Sequence, residues 1–238
     1  MTNIKRNIAI ILMSFASAVV YAVEIVWQGP PIVGTIQLFS RNQPTLKMDG
    51  KIYINREGLR SEMPMGTTRI ISITNSKSGK CWYADEGKKI YMESAYNKKT
   101  GECPSFMGGD MEAKTESPSA EALPCEGYAK KTSMGSDTVA SRSVDKWSCS
   151  GGNPKSGYES ETQWHDRKLK FILKNENSAG EVMQFSELIE TSFSSSLLDA
   201  PKGMKRVSSE EFRNSIFAGM LPPGMPFPGT MPTEMPEK

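Results

Sequence analysis

Four cysteines, Cys81, Cys103, Cys125 and Cys149, are the residues whose type and spacing most plainly carry chemistry. They stand 22, 22 and 24 residues apart with no Cys-x-x-Cys, so neither a zinc ribbon nor a thioredoxin-like redox pair is spelled out. An even count in an oxidising compartment points to two disulfides. Three connectivities are open. The preferred one joins Cys103 to Cys125 and Cys81 to Cys149, because the first link pins the polar stretch between them and leaves the two strand-borne cysteines for each other.

His165, the single histidine, sits between Trp164 and Asp166. One histidine excludes a multi-histidine metal site. Neighbours on a strand point to opposite faces, so His165 and Asp166 do not simply form a general-base dyad, and the residue reads as a solvated turn histidine. The many serines come without a Gly-x-Ser-x-Gly elbow. The chain therefore reads as non-enzymatic, with no catalytic residue, cofactor or metal site. Met220, Met225, Met231 and Met235 offer soft thioether sulfurs to Cu(I), but the prolines among them suit a contact-making segment better. Tyr53, Trp82, Tyr83, Tyr91, Trp147 and Trp164 interleave with basic residues, as in surfaces that stack bases. Lys and Arg number 29 against 27 Asp and Glu, a balance unlike that of a nucleic-acid binder, which leaves cross-strand packing as the role of these rings.

These residues lie in a chain of 238 residues that starts with the pattern of an export signal. Lys5 and Arg6 precede an apolar run from Ile8 to Val20, and Val20-Tyr21-Ala22 supplies the small-residue site for cleavage after Ala22. The run is shorter than the ~20 residues a membrane-spanning helix needs, so no permanent span is expected and the product is periplasmic or secreted. Losing residues 1–22 removes two basic residues and no acids, leaving 27 of each sign.

Residues 23–207 read as one antiparallel β domain. From Thr35 to Ser94, apolar residues alternate between recurrent turn signals at Met48-Asp49-Gly50, Arg56-Glu57-Gly58, Ser76-Lys77-Ser78-Gly79 and Asp85-Glu86-Gly87. Residues 95–127 form a polar insertion, and strand signals resume at Thr138–Cys149, Ser160–Trp164, Leu169–Lys174 and Glu181–Ile189. Ser208 with Glu211 makes a capping box for a short helix over 208–219. The proline-dense stretch 220–238 predicts a disordered Pro/Met-rich tail. The fold class is mainly β: a curved antiparallel sheet or incomplete barrel with a short C-terminal helix.

The order of motifs over residues 33–207 resembles an exported bacterial domain of unassigned function with the lipoprotein-localisation carrier fold. Its first half is Gly50-Lys51-Ile52-Tyr53-Ile54, Gly58-Leu59-Arg60-Ser61-Glu62-Met63, Arg69-Ile70-Ile71, Cys81-Trp82-Tyr83-Ala84 and Lys89-Ile90-Tyr91-Met92-Glu93. Its second half is Val144-Asp145-Lys146-Trp147, Thr162-Gln163-Trp164 before Leu169-Lys170, and Ala200-Pro201-Lys202-Gly203-Met204-Lys205-Arg206-Val207. The resemblance implies an incomplete barrel whose concave side holds an apolar ligand under a helical lid. The chain departs from it before the first strand, where Gly29-Pro30-Pro31 and Gly34 do not suit a lid helix.

Two functions follow as expectations. In the first, Ile52, Ile54, Ile71, Ile73, Ile90 and Met92 turn to one concave side and bind a lipid or other apolar ligand. In the second, the interior is filled by the chain's own side chains and the protein is an envelope structural or interaction module whose tail makes the contacts.

Overall fold

A computed structural model of the chain describes residues 27–97, 103–104, 123–153 and 157–218. The expected signal segment and the Pro/Met tail with its copper-binding option lie outside the described residues, as does most of the polar insertion. Twelve strands form one sheet: β1 (Ile32–Ser40), β2 (Gln43–Asn55), β3 (Gly58–Met65), β4 (Thr68–Asn75), β5 (Lys80–Asp85), β6 (Ile90–Ala95), β7 (Lys130–Val139), β8 (Arg142–Ser150), β9 (Ser160–Asp166), β10 (Phe171–Asn177), β11 (Glu181–Glu190) and β12 (Lys205–Arg206). Their order is β12-β6-β5-β4-β3-β2-β1-β11-β10-β9-β8-β7. The sheet is open and mainly antiparallel, as the sequence predicts; the two-residue β12 alone pairs in parallel, along β6. It is also curved. Cα atoms of β7 come within 8 Å of β11 although three strands separate them, where a flat sheet would hold them about 19 Å apart.

Side chains of directly paired residues share a face, and the register therefore sorts the core. Ile52, Ser61, Ser72, Tyr83 and Met92 lie in one cross-strand row on what we term the front face. Tyr53, Arg60, Ile73, Trp82 and Glu93 lie in the adjacent row on the back. On the front, Ile32, Ile36, Leu38, Ile52, Ile54 and Leu59 pack with Met183 and Phe185, and Trp27 closes onto them with its ring 5.6 Å from Phe171, edge to face. Residues 27–31 carry no helix.

After β11 the chain passes over the back face, where a 3-10 turn (Ser195–Leu198) sets Leu198 against Ile71, Ile73, Trp82 and Ala84. It then pairs β12 to the edge of β6 and continues as helix α1 (Ser209–Ala218). Ser208 caps the helix by accepting from the Glu211 amide at 3.0 Å, as the capping box predicts. Phe212 and Ile216, one turn apart, bury against Ile70, Tyr83 and Met92 on the front face.

Several expectations are corrected. Met48-Asp49-Gly50 is no turn: β2 runs through it, and Gly50 lets the Met63 sulfur lie against the backbone, 2.1 Å from where a Cβ would stand. Thr138–Cys149 is not one strand but the junction of β7 and β8, broken by Ala140 and Ser141, whose φ angles of 49° and 61° make a tight hairpin turn. The disulfides join Cys81 to Cys103 and Cys125 to Cys149, not Cys103 to Cys125 and Cys81 to Cys149. β5 and β8, which carry Cys81 and Cys149, stand near opposite ends of the sheet, too far apart to be bridged. Each loop cysteine is tied to its own strand instead.

Candidate functional site

The six residues expected to form one ligand face divide between two. Ile52, Ile54, Ile90 and Met92 are on the front; Ile71 and Ile73 are on the back. The reason is that β4 is covered on both sides, so Ile70 serves the front while its neighbour Ile71 serves the back. The six are also covered by the chain itself. Ile52 and Ile54 lie within the packing of β1 and β11, Ile71 and Ile73 under Leu198, and Met92 beneath Phe212 and Ile216, with Ile90 packed at the margin of that cluster. Apart from Ile90, which is partly buried, none exposes more than 5% of its surface. Burial of this kind also pushes the Tyr83 phenol up to about 12.

His165 is not a solvated turn residue. It lies within β9, paired to Asp145 and Ile172, and is buried. Asp166 turns away from it to Arg142, whose Nε donates to the carboxylate, and accepts from the Lys168 and Leu169 amides at 2.8 and 2.9 Å. Arg142 also reaches Glu190 at 2.8 Å, and Lys168 meets the same carboxylate at 2.9 Å. This group ties the ends of β8, β9 and β11 where the sheet curls, and it leaves Asp166 engaged structurally.

The aromatic and basic residues combine as packing. Trp164 lies in one row with Lys146 and Lys174, whose ammonium groups stand 4.9 and 4.4 Å from its ring, and it donates to Asp137 at 2.8 Å. Loss of solvent pulls the Lys174 ammonium below its ordinary value, and the indole hydrogen bond holds Asp137 below the usual carboxylate range. Hydrogen bonds from Arg167 lower Asp145, and those from Lys168 and Arg142 lower Glu190. Groups depressed in the folded state contribute stability that is full above their unfolded values and lost as pH falls through the folded ones. The urea midpoint is therefore expected to hold from neutrality to about pH 5 and to drop below about pH 4, the ordinary carboxylate range. A midpoint unchanged at pH 3 would count against these pairings.

What remains open is the margin of the sheet. At one end β6 is completed by β12, through Lys205 N–H to Lys89 O and Val207 N–H to Tyr91 O, both 2.8 Å. At the other end no strand among the described residues pairs beyond β7, and Lys130–Thr138 are exposed throughout. Among the described residues, no backbone hydrogen bond joins β7 to anything but β8. β7 carries Lys130 and Lys131, neither in an ion pair among the described residues, and the half-exposed Met134. Leu123, also half-exposed, precedes the Cys125 link to Cys149, and Cys149 pairs directly with Lys131. Sequence reasoning misses this strand up to Thr138 because Lys130–Asp137 bury neither side and show no alternation; Lys-Lys-Thr-Ser and Gly135 look like loop.

No group of three or more His, Cys, Asp or Glu is placed to hold a metal among the described residues, and no helix among them is long and apolar enough to cross a membrane. No protein-family model and no curated protein matches the chain. Among solved structures, it is similar to an uncharacterized conserved protein from Thermus thermophilus, at 12% identity and a TM-score of 0.47 over 76% of this chain and 91% of that one. It is similar to the Pseudomonas aeruginosa MucA/MucB complex at 14% identity and 0.48, over 81% of this chain and 63% of that one, less than two thirds of the matched length. A putative outer membrane lipoprotein-sorting protein domain from Vibrio parahaemolyticus is similar at 13% identity and a TM-score of 0.30, over 72% of this chain and 91% of that one.

Proposed function

We propose that the chain is an exported, non-enzymatic protein whose sheet serves as a scaffold for binding another envelope protein. The observation that carries this reading is the filling of the sheet's faces by the chain itself. Phe185 lies over Gly34, 2.9 Å from where a Cβ would stand, Met63 lies over Gly50, and α1 and the segment around Leu198 cover the strands beyond. Small residues beneath large ones are how a sheet packs its own interior. Both disulfides, which use all four cysteines, support an oxidising compartment.

Native mass spectrometry of the mature protein, purified from the envelope in which it is made, tests the reading against the apolar-ligand alternative. The expected spectrum shows the mass of the chain with two disulfides and no bound lipid, and a hydrophobic fluorescent probe gains no signal on addition. A copurified lipid, lost together with probe binding in a folded Ile52→Glu variant, would replace this reading with the carrier.

A further inference from the structure

Three independent features meet at one margin of the sheet. β7 presents its outer peptide groups along an edge that no strand among the described residues pairs, Lys130 and Lys131 stand at its start without carboxylate partners among those residues, and Met134 is one of the three large apolar side chains exposed among them. An unpaired edge is a template for another strand, and proteins generally shield it. Here the opposite margin is shielded by β12, whereas β7 is interrupted only by a bulge between Ser133 and Ser136, where Gly135 takes a φ of 90°. The bulge interrupts the pairing with β8 midway and sets the basic half, Lys130–Ser133, apart from Ser136–Val139.

We infer that this half of β7 is the contact site for an extended, acidic segment of a partner protein, which adds to the sheet as a further strand. Main-chain hydrogen bonds to β7 supply the attachment, and they are indifferent to sequence. Selection comes from side chains. Lys130 and Lys131 point to opposite faces, so adjacent carboxylates on the incoming strand meet one lysine each. Met134, at the bulge, offers apolar contact on one side of that pair. A second copy of β7 fits less well, because it would bring two lysines of its own to a margin that has only Asp137, already engaged by Trp164. The inference rests on the protein-binding reading above and assigns its location and chemistry.

The test uses the full-length mature protein and a fluorescent eight-residue peptide, acetyl-Thr-Val-Thr-Glu-Glu-Val-Thr-Val-amide, with a control in which Gln replaces both Glu. Anisotropy is expected to show binding that weakens roughly tenfold for the Gln peptide and for the Lys130→Glu/Lys131→Glu variant, as loss of two exposed ion pairs implies, and weakens likewise in high salt. Hydrogen exchange is expected to show new amide protection within residues 130–133. Because both substituted lysines are exposed, the variant should keep the wild-type melting temperature, which separates lost contact from lost fold. Equal binding of the Glu and Gln peptides, protection at another strand, or no binding would each overturn the edge site. So would protection of 130–133 in the free protein, either concentration-dependent through self-pairing or concentration-independent through the chain's own residues. A protein partner cross-linked elsewhere would remove the site and leave the protein-binding reading; a copurified lipid would remove that reading itself.

Discussion

Replacing Gly58 by alanine is expected to cost about 3 kcal/mol or more of folding stability, the upper range for an overpacked site. Gly58 opens β3 opposite Asn75, and a Cβ there would stand 1.9 Å from the Thr74 carbonyl oxygen. The obstacle is backbone, not the far end of a flexible side chain, so relief requires β3 and β4 to part. Those strands carry the row that joins the β1–β2 core to β5, and parting them loosens Leu59 and Ile73 together. Gly66→Ala provides the contrast. Its φ of 62° is left-handed but nothing lies within 4 Å, so it should cost only about 1 kcal/mol, the strain of the dihedral alone. Urea unfolding of the two variants measures both; similar losses would mean that the close approach at Thr74 is absent.

Phe212→Ala is expected to lower stability by about 3–5 kcal/mol, as for truncation of a buried aromatic ring. Phe212 is fully buried and holds α1 over Ile70, Tyr83 and Met92. The loss has a location as well as a size. Without the ring the helix should detach first, and amides of Lys205 and Val207, which bond to the edge of β6, should exchange faster than those of β1 and β2. Uniform acceleration across the sheet would show instead that the helix and sheet unfold as one unit.

The periodic part of this architecture is readable from the residues because most strands bury at least one side. Ile52 and Ile54, Phe171 and Leu173, and the capping pair Ser208 and Glu211 all stand where alternation and helix-start chemistry put them. Alternation within a strand does not say how neighbouring strands are staggered, and this is why Ile71 and Ile73 do not join the companions expected for them. Their strand is buried on both sides, where the pattern loses its meaning. The expected disulfide pairing fails for a related reason: it treats the insertion as a closed loop, whereas Cys103 and Cys125 reach strands that only the sheet order shows to be distant. β7 ahead of Thr138 is invisible in the sequence because an edge exposed on both faces needs no apolar residues. Trp27, just ahead of a Gly- and Pro-rich stretch, gives no periodic signal for its place in the core.

The path of the chain after β11 bears on how the protein is made. β2 to β6 are hairpin neighbours and can pair as soon as they are synthesised, since each contact closes a short loop. Their outer edge and both of their faces, however, are completed by residues 193–216, about a hundred positions later. Until that final stretch arrives, the first half of the sheet presents a bare edge and uncovered isoleucines, the features that promote aggregation. A chain shortened before Lys205, or cut between Glu190 and Lys205, would return to that condition while keeping every hairpin intact.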